Sequence, residues 1–256
     1  MQFDPIILSM YIIVFLFGIV IGSFLNVCIY RIPKGESIVV VPSHCMNCNY
    51  KLKWYDLVPL FSYLFLRGKC RKCNTKISVQ YPIIEAANGF TYCLVFATHG
   101  FSLSSVCYCL LFSTLIVISV IDWRTYEIPI GCNIFILAVG LIHMAMDYSN
   151  WLQYVIGLLA VSGFLAIIFF VSKGRGIGGG DVKLMAVCGL LLGWKMILVA
   201  FFIGCVLGAS LHIIRMKVSN AEHVLAFGPY LSAGVAIAVL WGEPILNWYM
   251  GYLGMN

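Results

Sequence analysis

Charge is what this sequence has least of. Lys, Arg, Asp and Glu make up 10% of its 256 residues, against about 25% in an ordinary soluble domain. Acids are the scarcest, ten against sixteen bases. Such a low charge content excludes a disordered, fibrous or nucleic-acid-binding chain. Repeats of 20–50 residues are missing, as are Pro- or Ser-rich linkers, which excludes a solenoid or a string of tethered domains. What fills the chain is apolar: 62% of residues, with a mean hydropathy of +0.97. A water-soluble globule of this length exposes too much surface to hide that fraction, so the chain reads as an integral membrane protein.

A helix crossing the bilayer needs about 20 apolar residues. Runs of that kind fall at 6–30, 82–98, 103–121, 131–147, 153–172, 182–194, 196–214 and 225–248, the sixth short and Gly-rich. The expected fold is an all-α polytopic membrane protein of about eight transmembrane helices, seven without the short run, with one small polar insert. Its expected divisions are a first transmembrane helix (1–30), an insert (31–81) and a membrane-embedded bundle (82–256). The first run has no basic residue before it (Met1-Gln2-Phe3-Asp4-Pro5) and is too long for a signal-peptide core, so it is expected to be a retained helix. With eight spans, Arg31, Lys34, Lys51, Lys53, Arg67, Lys69, Arg71, Lys72, Lys76, Arg124, Lys173, Arg175, Lys183, Arg215 and Lys217 share one side and Lys195 alone lies opposite. Positive residues stay inside, which puts the N-terminus outside and the insert in the cytoplasm.

Seven of the eleven cysteines lie in apolar runs and read as small buried hydrophobes. The other four form two hooks, Cys45-Met-Asn-Cys48 and Cys70-Arg-Lys-Cys73, separated by twenty-one residues. Two such hooks supply four thiolates for a tetrahedral zinc, and a reducing cytoplasm disfavours the disulfide alternative. The flanking Lys69, Arg71 and Lys72 are expected to lower the thiol pKa values. An insert poor in apolar residues needs a cross-link of this sort; four protein ligands leave no open position for catalysis. A redox pair and a metal-free insert are the other readings.

Two acids are oddly placed. Asp122 ends the third run in Val-Ile-Asp122-Trp-Arg-Thr-Tyr-Glu-Ile-Pro129, and Asp181 opens the sixth in Gly178-Gly179-Gly180-Asp181-Val-Lys183. They are 59 residues apart in sequence, yet the topology puts both at the cytoplasmic edge, and ionisable groups there are functional suspects. Facing carboxylates cannot both ionise readily: the ionised one can take a proton from an attacking water while the protonated one donates to a carbonyl oxygen. The glycines Gly178 and Gly180 give the second aspartate a backbone that a substrate strand can approach closely, and Pro129 breaks the chain before the fourth run. Interface capping, which suits Asp181 at a helix start, and a proton relay stand beside the catalytic reading.

At these residues the chain resembles the type IV prepilin peptidases. Asp122-Trp-Arg-Thr-Tyr-Glu-Ile-Pro129 and Gly178-Gly179-Gly180-Asp181-Val-Lys183-Leu look like that family's two aspartate motifs, the second being the GxGD motif of intramembrane aspartyl proteases. Gly22-Ser-Phe-Leu-Asn26-Val-Cys-Ile-Tyr-Arg31-Ile-Pro33, the paired hooks, Tyr81-Pro82-Ile-Ile-Glu85 and Phe227-Gly228-Pro229-Tyr230 match as well, so the likeness covers almost the whole chain in order. It departs at Ile130, where the family often has Asp or Asn. The resemblance implies a bacterial inner-membrane enzyme with Asp122 and Asp181 as catalytic residues. It would cleave the short basic leader from prepilin or pseudopilin precursors at the cytoplasmic face. It would then methylate the new N-terminal amine with S-adenosylmethionine, an activity that accompanies the insert. Glu36, Glu85, Glu127 and Glu222 become candidate contacts for the basic leader, with ordinary solvated or capping roles as the other reading. No glycine-rich nucleotide fingerprint is visible; Gly68, just before the second hook, is the candidate contact for the methyl donor, with a plain turn glycine as the other reading. The competing functions are a peptidase without methyl transfer, a proton-coupled transporter, and a scaffold whose insert docks partners or anionic lipid.

Overall fold

The computed structural model describes residues 5–219, 225–252 and 254. Its helices are α1 (Pro5–Arg31), α2 (Phe61–Phe65), α3 (Gln80–His99), α4 (Leu103–Thr125), α5 (Ile130–Met146), α6 (Trp151–Ala160), α7 (Ser162–Val171), α8 (Gly179–Leu192), α9 (Trp194–Ser219) and α10 (Gly228–Tyr252). Among the described residues β-structure is limited to two isolated bridges. Five stretches of the described residues are long and apolar enough to cross a membrane: Pro5–Lys34, Leu103–Thr125, Tyr148–Val171, Trp194–Ile214 and Gly228–Tyr252. The protein is therefore all-helical and polytopic.

The remaining expected spans are helical too but fall short for separate reasons. α3 carries Glu85 and Asn88 among its apolar residues, and α5 has only 17 residues. α8 has 14; at 1.5 Å per residue it rises about 21 Å, less than a hydrocarbon core of about 30 Å. Leu184, Met185, Cys188 and Leu191 on α8 are fully covered by protein, so neighbouring helices, rather than lipid, solvate it. The run expected as one span at 153–172 is interrupted at Val161 into α6 and α7. Just past the break Ser162 Oγ donates to the Leu158 carbonyl, a back-bond that competes with the helix ladder.

The chain divides into two compact units, Met1–Ser105 and Val106–Asn256. In the first, α1 and α3 pair through small residues. A Cβ on Gly18 would stand 2.7 Å from the Gly89 Cα, and one on Gly22 2.7 Å from the Glu85 Cα. Backbones that close leave the Gly18 carbonyl within reach of Asn88 Nδ2 at 2.7 Å, while Asn26 Nδ2 donates to the Tyr81 carbonyl at 3.2 Å. Small residues and polar bridges are the usual adhesives where lipid gives helices no hydrophobic reason to associate.

Between α1 and α3 lies the insert, whose Val39, Val40, Trp54 and Phe65 stand exposed. The buried Arg31 anchors its start by donating to the Ser37 and Val41 carbonyls at 3.1 and 2.8 Å. In the second unit α8 packs against α5, α6, α7, α9 and α10. Gly157 on α6 and Gly189 on α8 bring those two backbones into direct contact.

Candidate functional site

Asp122 falls in the last turn of α4 and Asp181 in the first turn of α8. Both are buried, at 4% and 8% exposure, and both line one cavity of about 270 Å³. Tyr126, Glu127, Ile128, Ile130, Asn133, Gly178, Gly179, Gly180 and Lys183 complete its wall. Sequence segments 59 residues apart thus deliver two carboxylates to one cavity.

Each carboxylate is set by a bare backbone. Asp122 Oδ2 accepts the Gly228 N–H at 2.9 Å in a buried bond. A Cβ on Gly228 would come within 2.7 Å of that oxygen, so the first residue of α10 has to be glycine for the bond to exist. Gly178 caps α8 in extended conformation, and a Cβ there would lie 3.1 Å from Asp181 Oδ2. A Cβ on Gly180 would press on Ile128 at 3.0 Å, which locks the glycine run against the loop that follows Asp122. That loop turns at Tyr126, held at φ 57°, and Pro129 caps the start of α5.

The four acids considered for leader contact separate cleanly. Glu127 is exposed and lines the cavity. Glu36 is exposed in the insert. Glu85 is buried on α3, where its Oε2 accepts the Leu60 N–H at 2.8 Å and ties the insert to the helix. Glu222 lies outside the described residues. Gly68 sits in a turn at φ 65°, its N–H donating to the Tyr63 carbonyl at 2.9 Å, and the Tyr63 hydroxyl occupies the space a side chain would need.

Two contributors escaped the sequence reading. Gly228 belongs to a motif that had no role attached to it. Asn133, in the first turn of α5, is 4% exposed, and its Nδ2 and Oδ1 are both buried without a partner. A polar residue in the first turn after Pro129, just past the loop that follows Asp122, was the available signal.

The four hook cysteines gather in the insert, their sulfurs all within 4.8 Å of one another. The two hooks are built alike. The Cys45 N–H bonds the Tyr50 carbonyl and the Asn49 N–H the Cys45 carbonyl, both at 2.9 Å; Cys70, Thr75 and Asn74 repeat both bonds at the same length. Asn49 and Asn74 follow each hook at φ 53° and 57°, the left-handed conformation that Asn tolerates. Thr75, through its hydroxyl and backbone, pulls the Cys73 thiol down to about 5, and the backbone at Cys48 and Asn47 lowers Cys45. Cys48 moves the other way: a Tyr50 backbone hydrogen bond lowers it, but desolvation and the neighbouring thiols take it up to about 11. The expected cause, the flanking bases, gives way to local hydrogen bonds, and Arg71 is turned to Asp56 at 2.7 Å instead. Four thiols this close cannot all ionise unless a cation joins them, which is the donor set a structural zinc requires.

Residues 16–99 match the family model described as the bacterial peptidase A24 N-terminal domain, and residues 109–213 that of the type IV leader peptidase family. The chain is 33% identical to a prepilin leader peptidase/N-methyltransferase of Bacillus subtilis (strain 168), covering 93% of this chain and 97% of that protein. It is 30% identical to the enzyme of the same name from Stutzerimonas stutzeri, over 92% of both chains, and 28% identical to that of Legionella pneumophila, over 95% of both. No solved structure matches. A transporter finds no support in these relatives. With both halves of the architecture matched in order and relatives covered nearly end to end, the chain belongs to the type IV leader peptidase family.

Proposed function

We propose that this protein removes the short basic leader from prepilin or pseudopilin precursors by aspartyl acid–base catalysis, and then methylates the newly exposed N-terminal amine. The observation that carries the reading is the shared cavity with Asp122 and Asp181 in its wall. The ionised carboxylate takes a proton from a water as its oxygen bonds the scissile carbonyl carbon. The protonated carboxylate gives its proton to the carbonyl oxygen; on collapse of the tetrahedral intermediate the first carboxyl passes the water's proton to the departing amine and the second takes back a hydroxyl proton, which restores the pair. Gly228 orients Asp122 through its N–H, and Gly178 and Gly180 keep the wall beside Asp181 free of side chains. Glu127, exposed in the wall, supplies negative charge for the basic leader.

The remaining parts of the reading complete this picture. Cys45, Cys48, Cys70 and Cys73 would hold a structural zinc that cross-links the insert. The organisation is a first transmembrane helix over 1–30, a cytoplasmic insert over 31–81 and a peptidase bundle over 82–256, crossing the inner membrane eight times with the N-terminus outside. S-adenosylmethionine supplies the methyl group, and the Gly68 turn is the candidate contact for it. Tyr63 already stands over that turn, so a donor held there would have to displace its side chain.

Co-expression with a candidate prepilin tests the whole proposal in one intact-mass spectrum, where leader loss and a methyl increment read out separately. Asp122→Asn and Asp181→Asn should each leave the precursor uncut. Processing at the wild-type rate by either variant would remove that residue from the catalytic pair.

A further inference from the structure

We propose that Asn133 is a substrate-contacting residue whose side-chain amide pairs with one peptide unit of the precursor beside the scissile bond. The inference deepens the peptidase reading and rests on it.

Asn133 is the one member of the cavity wall with both a donor and an acceptor buried and unpaired among the described residues. It is 96% covered, since only 4% of its surface is exposed. Buried polar groups in native proteins are satisfied with few exceptions, and an exception in a site calls for a missing partner. The cavity that Asn133 lines is where such a partner would sit, and both aspartates line it as well. Ile128 and Ile130 supply apolar wall beside it.

The substrate has the matching deficit. A helical peptide bond is shielded, so the segment to be cut must unwind, which frees an N–H and a C=O with no helix partner. Both are costly to leave unpaired wherever water is displaced. A carboxamide offers one acceptor and two donors on a single planar group, and can therefore satisfy both halves of a peptide unit. The ionised wall carboxylate would accept the N–H only, the protonated one is committed to the scissile carbonyl, and the Tyr126 hydroxyl carries donor and acceptor on one atom rather than side by side. Lys183 would donate only. Asn133 is thus the side chain in this wall whose hydrogen-bonding needs mirror those of an extended backbone.

The test uses the purified full-length protein in lipid nanodiscs. Its substrates are a synthetic precursor peptide and a series of the same peptide in which one amide at a time near the cut is replaced by an ester, deleting that N–H. Asn133→Leu should lower kcat/KM for the all-amide peptide about tenfold to a hundredfold while leaving Tm unchanged or higher, because it removes two unsatisfied atoms. At one position the ester should slow the wild type and leave Asn133→Leu indifferent; Asn133→Gln should regain part of the loss. If ester and variant effects multiply at every position, or if Asn133→Leu cuts at the wild-type rate, Asn133 does not contact the backbone. Asp181→Asn, run alongside, separates the two claims: a wild-type rate from it defeats the peptidase reading itself, whereas its inactivity beside a fully active Asn133→Leu defeats only this inference.

Discussion

In the insert, polar side chains are turned on one another: four sulfurs lie within 4.8 Å, and Asp56 is enclosed by Lys53, Tyr50 and Arg71. In the aspartate cavity, side chains are withheld. Gly178, Gly180 and Gly228 stand where a Cβ would crowd a carboxylate or the loop behind it, and Asn133 keeps an unpaired amide. A closed set of mutually satisfied groups stabilises a segment poor in apolar residues. An open set of unsatisfied ones keeps binding capacity in reserve for something that arrives later. The contrast predicts that substitutions in the insert are felt as stability and those in the cavity as rate.

The largest effect should come from opening the closed site. Cys70→Ser should abolish bound zinc, measured by elemental analysis of purified protein, and leave residues 32–79 sensitive to limited proteolysis, since metal binding and folding of such a module are one equilibrium. A protein that keeps its full zinc content after this substitution would show that the thiols are not the ligands. Next comes the cavity. Asp122→Asn should slow cleavage about a thousandfold yet leave zinc content untouched and Tm no lower, because it removes a buried ionisable group beside a second one and keeps an acceptor for the Gly228 N–H. A clear fall in Tm would break the comparison, since the acid would then be holding the fold.

What could be read in advance follows the same division. Residue types that carry their own chemistry announced themselves: the hooks by spacing, Asp122 and Asp181 by the oddity of an acid at the end of an apolar run. Gly228 stayed silent because its contribution is a backbone N–H, which every residue but proline owns, delivered across 106 positions of sequence. The interruption at Val161 was equally hidden, for it follows from a serine back-bond inside a stretch whose hydropathy never drops. The short α8 was visible as a weak span, yet its burial under five neighbouring helices depends on packing that hydropathy does not encode. Asp56 was overlooked although it and Glu36 are the two acids between 31 and 81, and a scarce acid among many bases is a natural hub.

Gly228→Ala ranks below the aspartates and is the cleaner probe of withheld side chains. Its new methyl would stand 2.7 Å from Asp122 Oδ2, so the carboxylate must swing away from the N–H that orients it. Misplacing a catalytic group by about 1 Å costs on the order of a hundredfold in rate, and that loss in a kcat measurement, with zinc content unchanged, is the expected result. Activity within twofold of wild type would mean that the bond to Gly228 does not set the position of Asp122.

The smallest effect tests whether the insert depends on anything besides its thiols. The Asp56 side chain is 2% exposed and takes hydrogen bonds from Arg71 Nε at 2.7 Å, the Lys53 N–H at 3.2 Å and the Tyr50 hydroxyl at 3.4 Å. Arg71 is half-exposed, so water screens the ion pair and Arg71→Ala should matter less than its length suggests. Asp56→Ala removes the shared acceptor of three part-buried hydrogen bonds at once and should cost about 2 kcal/mol, seen as faster hydrogen exchange across residues 50–72 with zinc still bound. If exchange is unchanged, the metal alone carries the insert, and its closure is then a property of four sulfurs rather than of the polar network around them. If exchange accelerates equally in Asp56→Ala and Arg71→Ala, the guanidinium is the essential partner, and the Lys53 and Tyr50 contacts follow from its placement.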